Sequence, residues 1–378
     1  MLYLDHAATS PVRPEVRAAM EPFLTDVFGN PASHHTAGEA AARAVKDARA
    51  RVARVFGARS GDVVFTSGGT EANNLAVKGL VLGALGSGRR RVVVSPIEHE
   101  SIRESARYLA RFHGVTVAMP AVDASGRITP AAVEAVLTDD TALVSIGHAN
   151  NEIGTVQDTA SVRDVVRARR VPFHVDAVQS AGWLPLHDLD ADAVSIAGHK
   201  LGAPKGTGAL VVRGRLPLEP LLHGGGQERG RRSGTVDVAG AVGLAVALEL
   251  AEQERADTAD RVGAATARFI AAVRHRVPEA ELTGHPEERL PATASFTIAG
   301  VSGEAVLLEL ERRGVISSSG SACAAGSDDP SPVLLACGIA PEIARTSVRF
   351  TFGRTVLPPG APERLAALVA EAVDAVRG

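Results

Sequence analysis

Short apolar segments alternate with longer segments of helical periodicity between Gly38 and Val212. The apolar segments predict strands at Asp62–Thr66, Arg91–Val94, Thr116–Val117, Ala142–Ile146, Pro172–Val175, Ala193–Ile196 and Ala209–Val212. The helical segments between them are Gly38–Phe56, Glu71–Leu85, Glu100–Phe112 and Val162–Arg169. Strands that alternate with helices indicate parallel βαβ units. The pattern therefore predicts an α/β fold with a mostly parallel seven-stranded sheet flanked by helices.

The pattern changes after Val238. Helical periodicity over Ala239–Val277 is followed by a strand, a helix, a strand and a helix, at Thr293–Ile298, Glu304–Arg312, Ser347–Phe352 and Ala361–Val376. Such an order is typical of a smaller α+β unit. The first dozen residues have no room for a unit of their own, so we place them with it. We predict a large domain at residues 14–250 and a small domain at residues 1–13 and 251–378.

The composition fits a globular protein with two domains, since 378 residues are 45% hydrophobic and 22% charged. A net charge of −3 gives no basic field that would attract nucleic acid. No apolar run is long enough for a membrane span, and no signal peptide is apparent at the N-terminus. Two cysteines give no disulfide framework and favour a reducing compartment. We expect a cytoplasmic protein with neither nucleic acid nor membrane as a partner.

The candidate chemistry lies at predicted strand ends, where parallel sheets bind their ligands. Lys200 follows the apolar run Ala193–Ala197 after Gly198-His199, and Asp176 ends a neighbouring run. A lysine and an acid in this layout are typical of a pyridoxal phosphate (PLP) site. There the lysine amine forms a Schiff base and the carboxylate keeps the pyridine nitrogen protonated. A single lysine after a strand is more often a solvated surface residue, so Lys200 needs support from other motifs.

Three further motifs follow predicted strands. Ser67–Glu71 opens a helix, so its backbone N–H groups could bind a phosphate, or Thr70 could simply cap the helix. His99 could stack on a cofactor ring or transfer protons, or be an ordinary polar residue. The amides of Asn150–Gly154 and of Gln179 could reach a cofactor or belong to turns. Although the chain has 12 histidines, no spacing typical of a metal site occurs, so we expect no metal.

The last candidates lie in loops and in the smaller unit. His223–Thr235 is a glycine-rich basic segment, either a flexible solvated loop or a phosphate contact that reaches a partner subunit. Cys323 lies among small polar residues, where a thiol is exposed and can reach a substrate. Cys337 lies in an apolar helical context typical of a buried cysteine. Arg349, in a predicted strand, could bind a carboxylate or lie at the edge of the core.

Together these segments resemble the cysteine desulfurase family (NifS/IscS type), a branch of the class V, fold-type I PLP enzymes. The matching stretches run in family order over nearly the whole chain: Tyr3–Thr9, Phe28–Ser33, Phe65–Glu71, Glu98-His99, Asn150–Gly154, His174–Gln179, Gly198–Lys200, His223–Arg229, Arg232–Thr235, Ser318–Cys323 and Arg349-Phe350. The resemblance implies a homodimer that binds PLP.

The resemblance also implies residue roles at the cofactor. Lys200 would bind PLP covalently and move protons, Asp176 would pair with the ring nitrogen, and His99 would stack on the ring. The remaining cofactor contacts would be Gly69, Thr70, Asn151, Gln179, His199 and, from the second subunit, Thr235. Ala197 departs from the pattern, because many relatives have a serine there that contacts the phosphate. We expect one hydrogen bond to the phosphate to be missing.

For the substrate, the resemblance implies that Arg349, with Asn30 and Asn151, binds the carboxylate of L-cysteine. Cys323 would take the sulfur as a persulfide while L-alanine forms, and would pass it to an acceptor protein in iron–sulfur cluster assembly or thiolation. The alternatives are a selenocysteine lyase or another PLP enzyme of the same fold, a non-catalytic assembly scaffold, or a histidine metalloprotein.

Overall fold

The computed structural model describes residues 1–214, 216–320, 329–355 and 357–378. The strands are β1 (Leu2–Tyr3), β2 (Val63–Thr66), β3 (Arg91–Val94), β4 (Thr116–Ala118), β5 (Thr141–Gly147), β6 (Phe173–Asp176), β7 (Ala193–Ala197), β8 (Gly208–Val212), β9 (Ala280–Leu282), β10 (Thr293–Ile298), β11 (Val315–Ile316) and β12 (Ser347–Thr351). The helices are α1 (Pro14–Leu24), α2 (Thr36–Val55), α3 (Gly69–Asn74), α4 (Leu80–Ala84), α5 (Glu100–His113), α6 (Pro130–Glu134), α7 (Thr159–Ala168), α8 (Val238–Gln253), α9 (Arg255–Arg276), α10 (Gly303–Arg312), α11 (Pro332–Ala336), α12 (Pro341–Ala344) and α13 (Ala361–Arg377). A π-helical turn at Leu75–Gly79 joins α3 to α4.

Seven strands form the main sheet, in the order β2-β8-β7-β6-β5-β3-β4. The neighbouring strands β7, β6, β5, β3 and β4 are parallel to one another. Strand β8 runs antiparallel to both β7 and β2. Apolar clusters cover both faces of the sheet, which explains why β7 and β8 are continuous apolar runs without alternation. The predicted mostly parallel seven-stranded sheet is confirmed. The pairing of Gly147 with Asp176, and of Asp176 with Ser195, aligns the carboxyl ends of β5, β6 and β7.

Most buried hydrophobic residues separate along the chain into a large and a smaller core, and one small cluster joins Ile97 and Ile153 to Val333 and Leu334. The clusters on the two faces of the main sheet use residues between Val16 and Ala251. A separate cluster combines Leu4 with residues 262–373 around the antiparallel sheet β12-β10-β9. The N-terminal strand β1 pairs with β11 of this part. The domain boundaries at residues 13–14 and 250–251 stay a prediction, and this separation of the cores supports it.

Two features of the fold differ from the predicted pattern. The helix α1 was not predicted, because Val16 is its one buried residue and prolines lie at its start and at Pro22. The long helical region after Val238 is two helices that meet at Glu254. They separate there because α8 packs in the large core, whereas α9 packs in the smaller one.

Candidate active site

A cavity of about 580 Å³ opens at the aligned carboxyl ends of the parallel strands. The loops after β5, β6 and β7 and the start of α3 form its walls, as expected for a ligand site in an α/β sheet. The predicted site residues that line it are Gly69, Thr70, His99, Asn151, Asp176, Gln179, His199, Lys200 and Arg349. The fold therefore gathers at one place residues that are distant in the sequence.

Lys200 lies at the wall of the cavity, at the end of a 3-10 turn that follows β7. Its ammonium group donates hydrogen bonds to the main-chain oxygens of Ala7 and Ala8, the latter at 2.9 Å. The turn needs Gly198, because a Cβ there would lie 2.1 Å from Oγ1 of Thr207. The N-terminal motif around Ala7 thus fixes the position of the lysine amine.

Asp176 ends β6 and is 8% exposed. Its Oδ2 accepts a hydrogen bond from Nδ2 of Asn73 at 2.7 Å, and its Oδ1 accepts one from the N–H of Val178 at 2.9 Å. Burial raises the pKa of Asp176, although these hydrogen bonds oppose the shift. A buried carboxylate of this kind is stabilised by a cationic partner, such as a protonated ring nitrogen of a ligand.

Two histidines at the cavity are fixed by local hydrogen bonds. His99 caps α5, and its Nδ1 accepts from the N–H of Ser101 at 3.1 Å. The neutral His99 ring therefore carries its proton on Nε2. His199 contacts Oγ1 of Thr9 through Nδ1 at 3.2 Å. Burial, with the charges of Lys200 and Lys205, lowers the pKa of His199 to about 4, so its ring is neutral at pH 7.

The turn at Gly68–Thr70 approaches the end of β7 closely. A Cβ on Gly69 would lie 2.8 Å from Cγ2 of Val178 and 3.2 Å from Cβ of Ala197. A side chain at this position would push the turn away from the sheet. Ala197 is 1% exposed and has no hydroxyl to offer, so the expected loss of one hydrogen bond to a phosphate stays a prediction. Lys205, which was not predicted, adds a cation to the cavity wall.

The donors and charges around the cavity fit PLP. A dianionic phosphate suits the backbone N–H groups of the Gly69 turn and the charge of Lys205. A protonated ring nitrogen suits the buried Asp176, and an aldehyde suits the amine of Lys200. Gly69 has no side chain, so the backbone of this turn is open where it would contact the phosphate.

Arg349 extends from β12 into the cavity and is 2% exposed. Its Nη1 donates to the main-chain oxygen of Asn151 at 2.8 Å, and its Nη2 forms an ion pair with Asp5 at 2.6 Å. Its Nε–H is buried and has no hydrogen-bond partner. A guanidinium held in this way at the cavity suits a substrate carboxylate.

Two predicted residues, Asn30 and Thr235, do not line this cavity. Asn30 is exposed, and its Oδ1 accepts from the N–H of Ala32 at 2.9 Å within its own turn. Thr235 is exposed at a separate cavity of about 170 Å³ that shares Ser67 and Gly206 with the main one. Neither side chain reaches the main cavity within one chain. Cys323 lies outside the described residues.

Cys337 is not a candidate for the nucleophile. It lies in an apolar cluster with Ile97, Ile153, Val333 and Leu334, and 7% of it is exposed. Burial, with the charges of acidic residues nearby, raises the pKa of the Cys337 thiol to about 11. The thiol is therefore protonated at neutral pH, whereas the reactive form of a cysteine is the thiolate.

Comparisons with known proteins identify the family of the chain. The family model of the class V aminotransferases matches residues 2–356. Cysteine desulfurase IscS of Dictyoglomus turgidum is 41% identical over 354 residues, which cover 93% of this chain and 89% of the relative. A solved structure of a NifS-like protein superposes with a TM-score of 0.91 at 32% identity and covers 99% of both chains.

A further solved structure, SspA in complex with cysteine, has a TM-score of 0.83 at 34% identity, and the match covers 94% of this chain and 100% of that one. These relatives confirm the resemblance that the sequence motifs indicated. The chain belongs to the class V aminotransferase family, in its cysteine desulfurase branch of the NifS and IscS type.

Proposed function

We propose that this cysteine desulfurase converts L-cysteine to L-alanine and passes the sulfur to an acceptor protein through a persulfide on Cys323. The observation that carries the proposal is the meeting of Lys200, Asp176 and Arg349 at one cavity. These side chains supply a covalent anchor, a partner for the ring nitrogen and a carboxylate contact. The names of the relatives favour this reaction over a selenocysteine lyase.

The family uses PLP, which when bound withdraws electrons from the substrate Cα. Lys200 would hold the cofactor, and the buried Asp176 would keep the ring nitrogen protonated. The Gly69-Thr70 turn and His199 would bind the phosphate, while Asn151 and Gln179 would flank the ring. Gln179 already donates a hydrogen bond to the oxygen of Ala7 at 3.1 Å, which limits its freedom.

Two groups would move protons. The amine of Lys200, positioned by the main-chain oxygens of Ala7 and Ala8, would remove the proton from the substrate Cα after it has left the cofactor. His99 would stack on the ring, with Nε2 as the nitrogen that carries its mobile proton. Both groups lie at the cavity wall, so neither needs a large rearrangement to act.

Arg349 would bind the carboxylate of L-cysteine and so orient its Cα towards Lys200. Its ion pair with Asp5 and its bond to the oxygen of Asn151 hold the guanidinium plane in place. The relative SspA, solved with cysteine, supports this choice of substrate. Asn30 would join the site only after a movement of its turn or from another chain.

The thiolate of Cys323 would attack the substrate sulfur. The new S–S bond forms as the C–S bond breaks, and the electron pair of that bond stays on the carbon. A proton then joins this carbon, which becomes the methyl group of L-alanine. A thiolate of the acceptor protein would then attack the outer sulfur of the persulfide, and the thiolate of Cys323 would leave. The transferred sulfur would serve iron–sulfur cluster assembly or a thiolation pathway.

We also propose that the protein is a cytoplasmic homodimer. A homodimer would let Thr235 of one subunit contact the phosphate bound to the other. The low cysteine content of the chain, two residues in 378, supports a cytoplasmic location. Within the part of the chain that the structure describes, no helix is both long and apolar enough to cross a membrane.

Replacing Cys323 with serine tests the persulfide step. We expect L-alanine formation from L-cysteine, measured with a thiol reductant present, to fall about 1000-fold, because a hydroxyl is a poor nucleophile towards sulfur. Binding of PLP and of L-cysteine, followed by absorption, should not change. The matched control is Cys337→Ala, which should keep its activity. Full activity of Cys323→Ser would rule out the persulfide mechanism.

A further inference from the structure

The segment His223–Thr235 is fixed to the edge of the main sheet. The carboxylate of Glu228, 6% exposed, accepts from the N–H of Phe65 at 3.0 Å and pairs with Arg49 at 2.6 and 2.7 Å. Arg49 also donates to the oxygen of Val63 at 2.7 Å. Because β2 is an edge strand, this ion pair binds outward-facing backbone groups that have no strand partner. Of the two alternatives for this segment, a solvated loop does not describe Glu228, which is buried and bonded to the sheet edge.

A second ion pair joins the same segment to the main cavity. Nε of Arg232 donates to Oε1 of Glu71 at 2.9 Å, and Nη2 donates to Oε2 at 3.3 Å. Oε2 of Glu71 also accepts from the N–H of Ser67 at 2.8 Å. Glu71 lines the cavity beside the turn that would hold the cofactor phosphate. The carboxylate of Glu71 therefore lies beside the turn that would bind the phosphate, and it accepts a hydrogen bond from a backbone donor of that turn, the N–H of Ser67.

The charge of Glu71 must be compensated before a phosphate can bind nearby. Although burial raises the pKa of Glu71, hydrogen bonds from Arg232 and Ser67 hold it below its usual value, so the group is an anion at neutral pH. A carboxylate near a dianion repels it, and partial burial strengthens the repulsion. The cations that line this cavity are Lys200, which would bind the cofactor, Lys205, and Arg349, which pairs with Asp5. Arg232 is the cation that contacts Glu71.

We propose that Arg232 is a positioning residue for the cofactor phosphate, because it neutralises Glu71 and ties the segment with Thr235 to the phosphate turn. This inference rests on the proposed function, in which the Gly69-Thr70 turn holds the phosphate. It extends that function by making cofactor affinity depend on a side chain that does not contact the cofactor. The effect is one of charge, so removing the charge of Glu71 as well should reverse the loss of affinity caused by removing the charge of Arg232.

The test is a double-mutant cycle on PLP affinity, measured by titrating the apo protein and following the absorption of the bound cofactor. We expect Arg232→Met to weaken PLP binding about 10- to 100-fold, since the unpaired Glu71 then repels the phosphate. Glu71→Gln alone should change affinity less than about threefold, and the double variant should return to within about fivefold of the wild type. Arg232→Lys, which keeps the charge, should stay within about threefold.

The matched control is the exposed pair of Arg268 and Glu363, with a contact of 2.9 Å between α9 and α13. Arg268→Met and Glu363→Gln should leave PLP affinity unchanged. The inference is overturned if Arg232→Met binds PLP like the wild type, or if the double variant is as weak as Arg232→Met. A wild-type protein that does not bind PLP would instead overturn the proposed function, so the two failures are distinct.

Discussion

Replacing Lys200 with alanine should abolish the formation of L-alanine, with a loss of at least about 10⁴-fold, because the covalent anchor and the base at Cα disappear together. Reduction of the holo protein with borohydride, followed by mass spectrometry of its peptides, should find the cofactor on Lys200 in the wild type. The same treatment should find no attached cofactor in Lys200→Ala.

Lys205→Ala is the matched control, since Lys205 is a second lysine at the same cavity. We expect this variant to keep the covalent cofactor on Lys200, with weaker overall affinity because a cation near the phosphate is lost. Cofactor attached to Lys205, or activity retained by Lys200→Ala, would contradict the assignment of Lys200.

Asp176→Asn should lower kcat about 1000-fold, because an amide does not keep the ring nitrogen protonated. The same variant should leave the apo protein as stable as the wild type or more so. Burial raises the pKa of Asp176 in the folded state. Its stabilising contribution is therefore present at low pH and is lost as pH rises through the folded-state pKa.

Thermal unfolding with and without PLP separates these effects. The wild type should gain more in Tm from PLP than Asp176→Asn does, because its carboxylate pairs with the protonated ring nitrogen only in the holo protein. The control is Asp158→Asn, the same exchange at the exposed cap of α7, where asparagine caps as well as aspartate. That control should match the wild type in both measurements. A destabilised apo Asp176→Asn with normal kcat would contradict the role of Asp176.

The sequence predicted the main sheet because local patterns determine it. The strand Arg91–Val94 was predicted with its observed bounds, since its apolar run is bounded by charged and turn residues. Lys200 and Asp176 were also predicted, because both follow apolar runs that had to end at one edge of a parallel sheet. The antiparallel direction of β8 was not predicted, since the direction of a strand depends on its connection and not on its own residues.

The missed residues act through partners that are far away in the sequence. Asn73 holds Asp176 across 103 positions, and Asp5 holds Arg349 across 344 positions. One local signal could have indicated Asn73: it lies one helical turn after Gly69 on α3, and residues four positions apart lie on the same face of a helix. Glu228 lies in a segment whose glycines and arginines are typical of a solvated loop, and its burial depends on Arg49 in α2. No local pattern contains that information.

The most direct test of the central claim is mass spectrometry of the holo protein after a single turnover with L-cysteine and no reductant. We predict that the peptide with Cys323 gains the mass of one sulfur atom, and that one L-alanine forms for each sulfur bound. The peptide with Cys337 should keep its mass. L-alanine formed without any mass gain on Cys323, or sulfur found on Cys337 instead, would contradict the account.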